Sequence, residues 1–296
     1  MPELPEVQAL AEFLDARASG HRVAAADVAA IAALKTFDPP VTALVGREVR
    51  GVTRHGKWID LAAGPDGEEL HLLFHLSRGG WVRWSDQAPT TPVRPRMGGS
   101  SRGAALALRV RLDDGAGFDL TEAGTRKRLA VHVVRDPQEV EQVATLGVDP
   151  LSDDFTAEAL AALMQDRNQQ VKGLLRDQRA IAGIGNAYSD EILHVARVSP
   201  FKLTRSFTPD EVAALHDAVV TTLREAVAAS SGKPAKELKD AKRAGMRVHG
   251  RTGEACPVCG DVVREVSFAD RSLQYCATCQ TGGQVLADRR MSRLLK

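Results

Sequence analysis

Cys256-Pro257-Val258-Cys259 and Cys276-Ala277-Thr278-Cys279 contain all four cysteines of this 296-residue chain. Sixteen residues separate the two C-x-x-C pairs. That spacing is the one used by four-cysteine zinc sites, where each turn offers two thiolates to a single tetrahedral ion. Gly260, directly after the first pair, suits a tight knuckle. The stretch from Val262 to Gln274 reads as two short strands around Ala269-Asp270-Arg271, so the predicted unit is a metal-pinned hairpin. Two disulfides would also use four cysteines, but disulfides belong to oxidising compartments, and no export signal is legible ahead of them. The expectation is one structural Zn2+ on Cys256, Cys259, Cys276 and Cys279, in a reducing cytoplasm. Such an ion fixes a hairpin and leaves the chemistry open.

Charge is distributed unevenly around that hairpin. From Ser231 to Lys296 there are 13 Lys and Arg against 7 Asp and Glu, a local charge of +6. The rest carries 26 against 31, or −5, and the net charge is +1. A basic end with a zinc hairpin fits a phosphate-contacting surface, although a solvated charged face has the same composition. Hydrophobic content of 44% and charged content of 26% are those of a globular protein. No stretch approaches the roughly twenty apolar residues of a membrane helix, so no membrane association is expected. The length allows two cores besides the hairpin, and nothing in the sequence asks for more than a monomer.

The predicted fold class is α+β. Val7, Leu10, Ala11 and Leu14 follow the spacing of an amphipathic helix that Gly20 ends, with Pro2 and Pro5 at its start, where proline is tolerated. Strand character follows over Glu48 to Ala63, Glu69 to Leu76, Gly80 to Trp84, Ala105 to Asp113 and Arg128 to Arg135. Alternation is cleanest at Leu106, Leu108, Val110 and Leu112. Turn signals at Gly64-Pro65-Asp66-Gly67 and Asp113-Asp114-Gly115 separate the runs, which predicts an antiparallel β-sandwich or barrel. Gln87 to Gly103, with three prolines and three glycines, reads as a loop. The domain boundaries expected are 1–135 for the helix and sandwich, 136–153 for a linker, 154–247 for a helical domain and 248–290 for the zinc unit. Helices are predicted over Thr156 to Gln165, capped by Thr156, then Val171 to Asp177, Asn186 to Val195 and Pro209 to Ala229. Between the second and third lies Ala182-Gly183-Ile184-Gly185-Asn186. Glycines there let backbone approach a phosphate at the positive helix end, and Asn186 can cap the helix. A plain turn between packed helices reads the same way.

At the front the chain runs Met1-Pro2-Glu3-Leu4-Pro5-Glu6. Removal of Met1, for which an adjacent proline is a permissive context, exposes a secondary amine beside a carboxylate. An α-amino group, with a pKa of roughly 7.7–8.0, keeps a useful neutral fraction near pH 7 and is then a nucleophile. Proline and acids are equally at home at helix starts for structural reasons. Lys57, in His55-Gly56-Lys57-Trp58, is by itself an ordinary strand lysine.

Together these segments resemble the formamidopyrimidine-DNA glycosylase and endonuclease VIII family of base-excision repair enzymes. Pro2-Glu3-Leu4-Pro5-Glu6-Val7 resembles its processed amino terminus, and His55-Gly56-Lys57-Trp58 its lysine-bearing turn. Lys172 through Asn186, ending in Gly183-Ile184-Gly185-Asn186-Ala187-Tyr188, resembles its helix–two-turn–helix motif. Val248-His249-Gly250-Arg251, the cysteine pairs and Arg271 resemble its zinc finger. The motifs occur in family order and span nearly the whole chain. The resemblance implies a bifunctional DNA glycosylase and AP lyase acting on damaged double-stranded DNA. Pro2 would attack C1′ and form a Schiff base, Glu3 would act as general acid, and Glu6 would support the amine or its backbone. Lys57 would hold a phosphate beside the lesion, with His75, Lys172, Asn186 and Arg271 as further DNA contacts. β- and then δ-elimination would follow.

The chain also departs from the family pattern. Leu76-Ser77-Arg78-Gly79-Gly80 has Arg78 near the place of a wedge methionine. Thr121-Glu122-Ala123-Gly124-Thr125-Arg126-Lys127-Arg128 stands where the family has an Arg-Arg-Phe-Gly wedge loop and lacks its phenylalanine, with Arg126 as a candidate DNA contact. Ser230 to Val248 is shorter than the family's base-capping segment. These departures keep two other readings in view: a non-catalytic sensor of damaged DNA, and a glycosylase for bulky adducts or crosslinks.

Overall fold

The computed structural model describes residues 1–96, 104–268 and 272–287. The chain divides into two compact units, Met1–Thr145 with Ser230–Lys239, and Leu146–Ala229 with Asp240–Lys296.

The first unit starts with α1 (Leu4–Ala18), whose amino end is a capping box: the Glu3 carboxylate accepts the Glu6 N–H, and Glu6 Oε2 accepts the Glu3 N–H at 2.8 Å. Its Val7, Leu10, Ala11 and Leu14 are buried as the periodicity predicts, and Gly20, with φ +84°, follows its end. Eight strands follow: β1 (Val23–Val28), β2 (Val49–His55), β3 (Trp58–Ala63), β4 (Leu70–His75), β5 (Gly80–Ser85), β6 (Ala105–Leu112), β7 (Gly117–Glu122) and β8 (Ala130–Val134). They form two four-stranded sheets, β1-β6-β7-β5 and β2-β3-β4-β8. Every pair is antiparallel. One hydrophobic core takes Leu108, Val110 and Leu112 from the first sheet, Ile59, Leu61, Leu72 and Phe74 from the second, and Leu10 and Leu14 from α1. The predicted helix and sandwich are therefore both present.

The structure departs from the sequence reading in several places: β1 and β7 lie outside the five expected strand runs, and Glu48 to Ala63 is two strands, β2 and β3, joined by a tight turn. A register shift between Leu106 and Leu108 breaks the expected alternation, and Leu106 is only half-buried. Patterning also fails to separate β7 from the loop after it, because Thr121 and Glu122 are polar yet only 4% exposed. The stretch read as a linker carries a 3-10 turn, Pro137–Glu139, capped by Asp136, and a one-turn helix, α2 (Glu141–Ala144).

Residues 230–239 belong to this unit although they come late in the chain. Ala235 and Leu238 enter its core at 4% and 0% exposure. The indole N–H of Trp81 donates to Ala235 O at 3.0 Å, the Lys239 ammonium lies 4.3 Å from the Trp81 ring centre, and Ser231 Oγ donates to Glu12 Oε2.

The second unit holds α3 (Ala157–Asp166), α4 (Val171–Arg176), α5 (Asn186–Val195) and most of α6 (Pro209–Ser230). Thr156 caps α3 through Oγ1, as its position implied. Asn186 does not cap α5. Gly185 holds that place without a side-chain bond, and Asn186 is the first helical residue. A further helix, α7 (Leu238–Gly245), precedes the hairpin of β9 (Val263–Ser267) and β10 (Ser272–Cys276), and α8 (Ala277–Thr281) carries Cys279. Arg271 lies outside the described residues.

Candidate functional site

In the first unit the candidate residues gather at the amino end of α1 and on the hairpins beside it. Pro2 is buried, and Glu3 and Glu6 are 3% and 1% exposed. The box described above leaves the Pro2–Glu3 peptide little freedom. Lys57 is buried and stands on the two-residue turn between β2 and β3, closed by the His55–Trp58 pair. Gly56 makes that turn with φ +55°. Arg54 ties it to α1: its Nε donates to Gln8 Oε1 at 2.9 Å and its Nη1 to Gly56 O at 3.2 Å.

His75 faces Trp58 across β3 and β4, with the ring centres 5.0 Å apart. Burial first, and the Lys57 charge second, hold the His75 imidazole down at about 4 against an ordinary 6.5. The fold thus favours the neutral ring. The stability this contributes is present above the unfolded value near 6.5 and is lost as pH falls through about 4. An NMR titration should accordingly show the His75 ring signal moving with a midpoint near about 4; a midpoint near 6.5 would contradict the packing.

Arg78 and Arg126 are both exposed. Arg78 lies on the turn from β4 to β5, where Gly80 N–H bonds to Leu76 O and Ser77 takes φ +53°. A Cβ on Gly79 would stand 2.3 Å from Ala123 O, so glycine is required for that close approach. Ala123 N–H in turn donates to Gly79 O at 2.9 Å, which joins this turn to the segment bearing Arg126. Buried Glu122 shapes that segment by accepting the N–H groups of Arg128 and Leu129.

The second unit places its candidates around α5. Lys172 is not at the surface. It is 6% exposed, with Nζ 2.6 Å from Asp190 Oδ1, 2.7 Å from Ser189 Oγ and 3.2 Å from Asn186 O. Asp190 Oδ2 also meets His249 Nδ1 at 2.7 Å. Asn186 donates from Nδ2 to Ser272 O at 2.8 Å, while its Oδ1 is buried with no hydrogen-bond partner. Gln178 holds the turn before α5 by donating to Ile184 O and accepting from Gly183 N–H, and Gly183 takes φ +90°.

The four cysteines converge. They are free, and their sulfurs lie within 4.8 Å of one another. Cys259–Cys276 and Cys256–Cys279 are 3.4 and 3.9 Å apart. A tetrahedron with Zn–S bonds of about 2.3 Å has edges of about 3.8 Å, so the set fits one zinc ion. Burial pushes the Cys276 thiol up to about 11 and raises Cys279 as well. A bound cation is what would make these sulfurs thiolates.

Several supporting residues escaped sequence reasoning. Glu191, 3% exposed, accepts the N–H groups of Arg247, Val248 and His249, and burial still pushes its carboxyl up. His194 Nε2 lies 3.2 Å from Cys256 Sγ. Asp60 binds two imidazoles, His55 Nε2 at 3.0 Å and His71 Nδ1 at 2.9 Å. Burial raises the Asp60 carboxyl, but these hydrogen bonds outweigh it and hold it below its ordinary value, while Asp60 raises His71. One available signal was an acid inside an otherwise apolar element, as in Trp58-Ile59-Asp60-Leu61.

Three segments of the chain match known family models. Residues 1–131 match the formamidopyrimidine-DNA glycosylase N-terminal domain, 146–236 its H2TH domain, and 253–282 the zinc finger found in FPG and IleRS. The formamidopyrimidine-DNA glycosylase of Roseiflexus sp. is 33% identical over 289 residues, covering 95% of this chain and 100% of that protein. The chain belongs to the formamidopyrimidine-DNA glycosylase family.

A formamidopyrimidine-DNA glycosylase-like protein of Mycobacterium tuberculosis is 56% identical over 155 residues, 52% of this chain and 97% of that one. The solved fold agrees: Lactococcus lactis Fpg with DNA containing an abasic site has a TM-score of 0.80 at 23% identity, over 94% of this chain and 99% of that chain. Formamidopyrimidine-DNA glycosylases are DNA-repair glycosylases, and this member carries their helical DNA-binding domain and a zinc finger whose four cysteines are placed for one ion. Among the described residues no helix is long and apolar enough to cross a membrane.

Proposed function

We propose that this protein is a bifunctional DNA glycosylase and AP lyase, acting as a monomer on damaged double-stranded DNA. The observation that supports it most is the buried amino-terminal box of Pro2, Glu3 and Glu6, with Lys57 on a turn fastened to the same helix. Once Met1 is removed, the Pro2 nitrogen has a lone pair. Its attack on C1′ forms an N–C1′ bond while the base leaves with the glycosidic electron pair, and the proton shed by the nitrogen neutralises the departing base. Glu3 gives a proton to the ring oxygen as the C1′–O4′ bond opens, leaving an iminium. The iminium acidifies C2′–H. Loss of that proton expels the 3′ phosphate, and a second elimination expels the 5′ phosphate. Glu6 keeps the Glu3 backbone in place through the 2.8 Å bond to its N–H.

Lys57, neutral His75, Asn186 and Arg271 contact phosphates in this reading, and Arg78 and Arg126 fill the gap left by the extruded base. Buried Lys172 acts behind them by pairing with Asp190. Borohydride trapping on a duplex with an abasic site tests the proposal. Processed protein should give a covalent adduct; binding with no adduct would instead indicate a sensor of damaged DNA. A second reading concerns the lesion. Ala235 and Leu238 are sunk in the first unit's core, and a segment fastened there is poorly suited to wrap a small base. Release of a bulky adduct in preference to 8-oxoguanine supports this reading; the opposite preference rejects it.

A further inference from the structure

Asp60 is a buried carboxylate that the proposed reaction does not use. It is 4% exposed on β3, between Ile59 and Leu61, which enter the core, so it points to the opposite face of the sheet. Its Oδ2 meets His55 Nε2 at 3.0 Å and its Oδ1 meets His71 Nδ1 at 2.9 Å. The three residues thus cross-link β2, β3 and β4. A buried carboxylate is costly unless it is fully bonded, and an apolar side chain would hold a sheet at lower cost. What the cross-link adds is directional geometry.

That geometry ends at Lys57. His55 is the last residue of β2 and pairs with Trp58, leaving only Gly56 and Lys57 in the turn between them. Arg54 holds the same turn from the other side, through Gly56 O and Gln8 of α1. We propose that Asp60, acting through His55, is a positioning residue for Lys57 and sets where its ammonium meets a DNA phosphodiester. The inference rests on the phosphate-binding role proposed for Lys57.

The test uses the full, zinc-loaded chain. Affinity for a duplex carrying an abasic-site analogue, the trapping rate at saturating DNA and the melting temperature are measured for wild type, D60N, H55Q, H71Q and K57A, and for D60N combined with K57A. D60N and H55Q should each weaken binding about tenfold, the size of one charge-assisted contact, while the saturated trapping rate stays within about twofold. H71Q, which loses the partner on β4 away from the turn, should lower the melting temperature and leave affinity within about twofold. In the K57A background D60N should cost no further affinity. The proposal is overturned if D60N weakens binding as much without Lys57 as with it, or if affinity simply follows melting temperature across the set. K57A binding like wild type would instead remove the phosphate role of Lys57 itself, a separate failure.

Discussion

A processed Pro2→Gly chain should trap on abasic DNA at least about a hundredfold more slowly than wild type, while binding the same duplex within about threefold. Glycine keeps an amine at the chain end, so the chemistry is not abolished in principle. What it loses is the pyrrolidine ring, which is buried against the start of α1 and fixes the direction of the nitrogen. A displacement of about 1 Å at a reacting atom can cost about a hundredfold. Single-turnover trapping measures this against equilibrium binding. Trapping at the wild-type rate would mean that another amine attacks the sugar.

Removing the metal, by chelation or by Cys276→Ala, should unfold the hairpin of β9 and β10 and leave the β-sandwich intact. Apart from the metal the hairpin rests on two small apolar clusters, one of Val248, Val263, Cys256, Cys276 and Cys279, the other of Val266, Leu273, Tyr275 and Ala277 against Phe201. Structural zinc supplies roughly 10–16 kcal/mol of apparent folding free energy in zinc-finger peptides. Hydrogen exchange should show the Val263–Ser267 and Ser272–Cys276 amides losing protection, with little change in β2 to β4, and metal analysis should fall from one zinc per chain to none. Asn186 would lose the Ser272 carbonyl that holds its amide, so DNA affinity should fall as well. Unchanged protection in the hairpin would show that the zinc is dispensable.

Much of this fold can be read in the sequence because the relevant signals are local. Thr156 caps its helix, Gly20 follows the end of α1, and the cysteine spacing brings four sulfurs together. Features decided by long-range packing were not legible. Glu122 appears to periodicity as part of a polar loop, yet it is buried and organises the segment after β7. Lys172 looks like a surface cation, and only the position of Asp190 eighteen residues later turns it inward. Asn186 sits where a cap is expected, but Gly185 takes the capping geometry and releases the amide for a carbonyl far along the chain. The Asp60 cross-link depends on strand register, which no local pattern fixes.

Docking of residues 230–239 into the first unit also bears on biosynthesis. A ribosome that has delivered the eighth strand has not yet supplied Ala235 and Leu238, and Trp81 has no acceptor for its indole proton. The core of the sandwich stays incomplete until residues 235 and 238, beyond the end of α6, have been made. Synthesis stalled between residues 145 and 230 would therefore leave a nascent chain with an incomplete core, a natural client for chaperones.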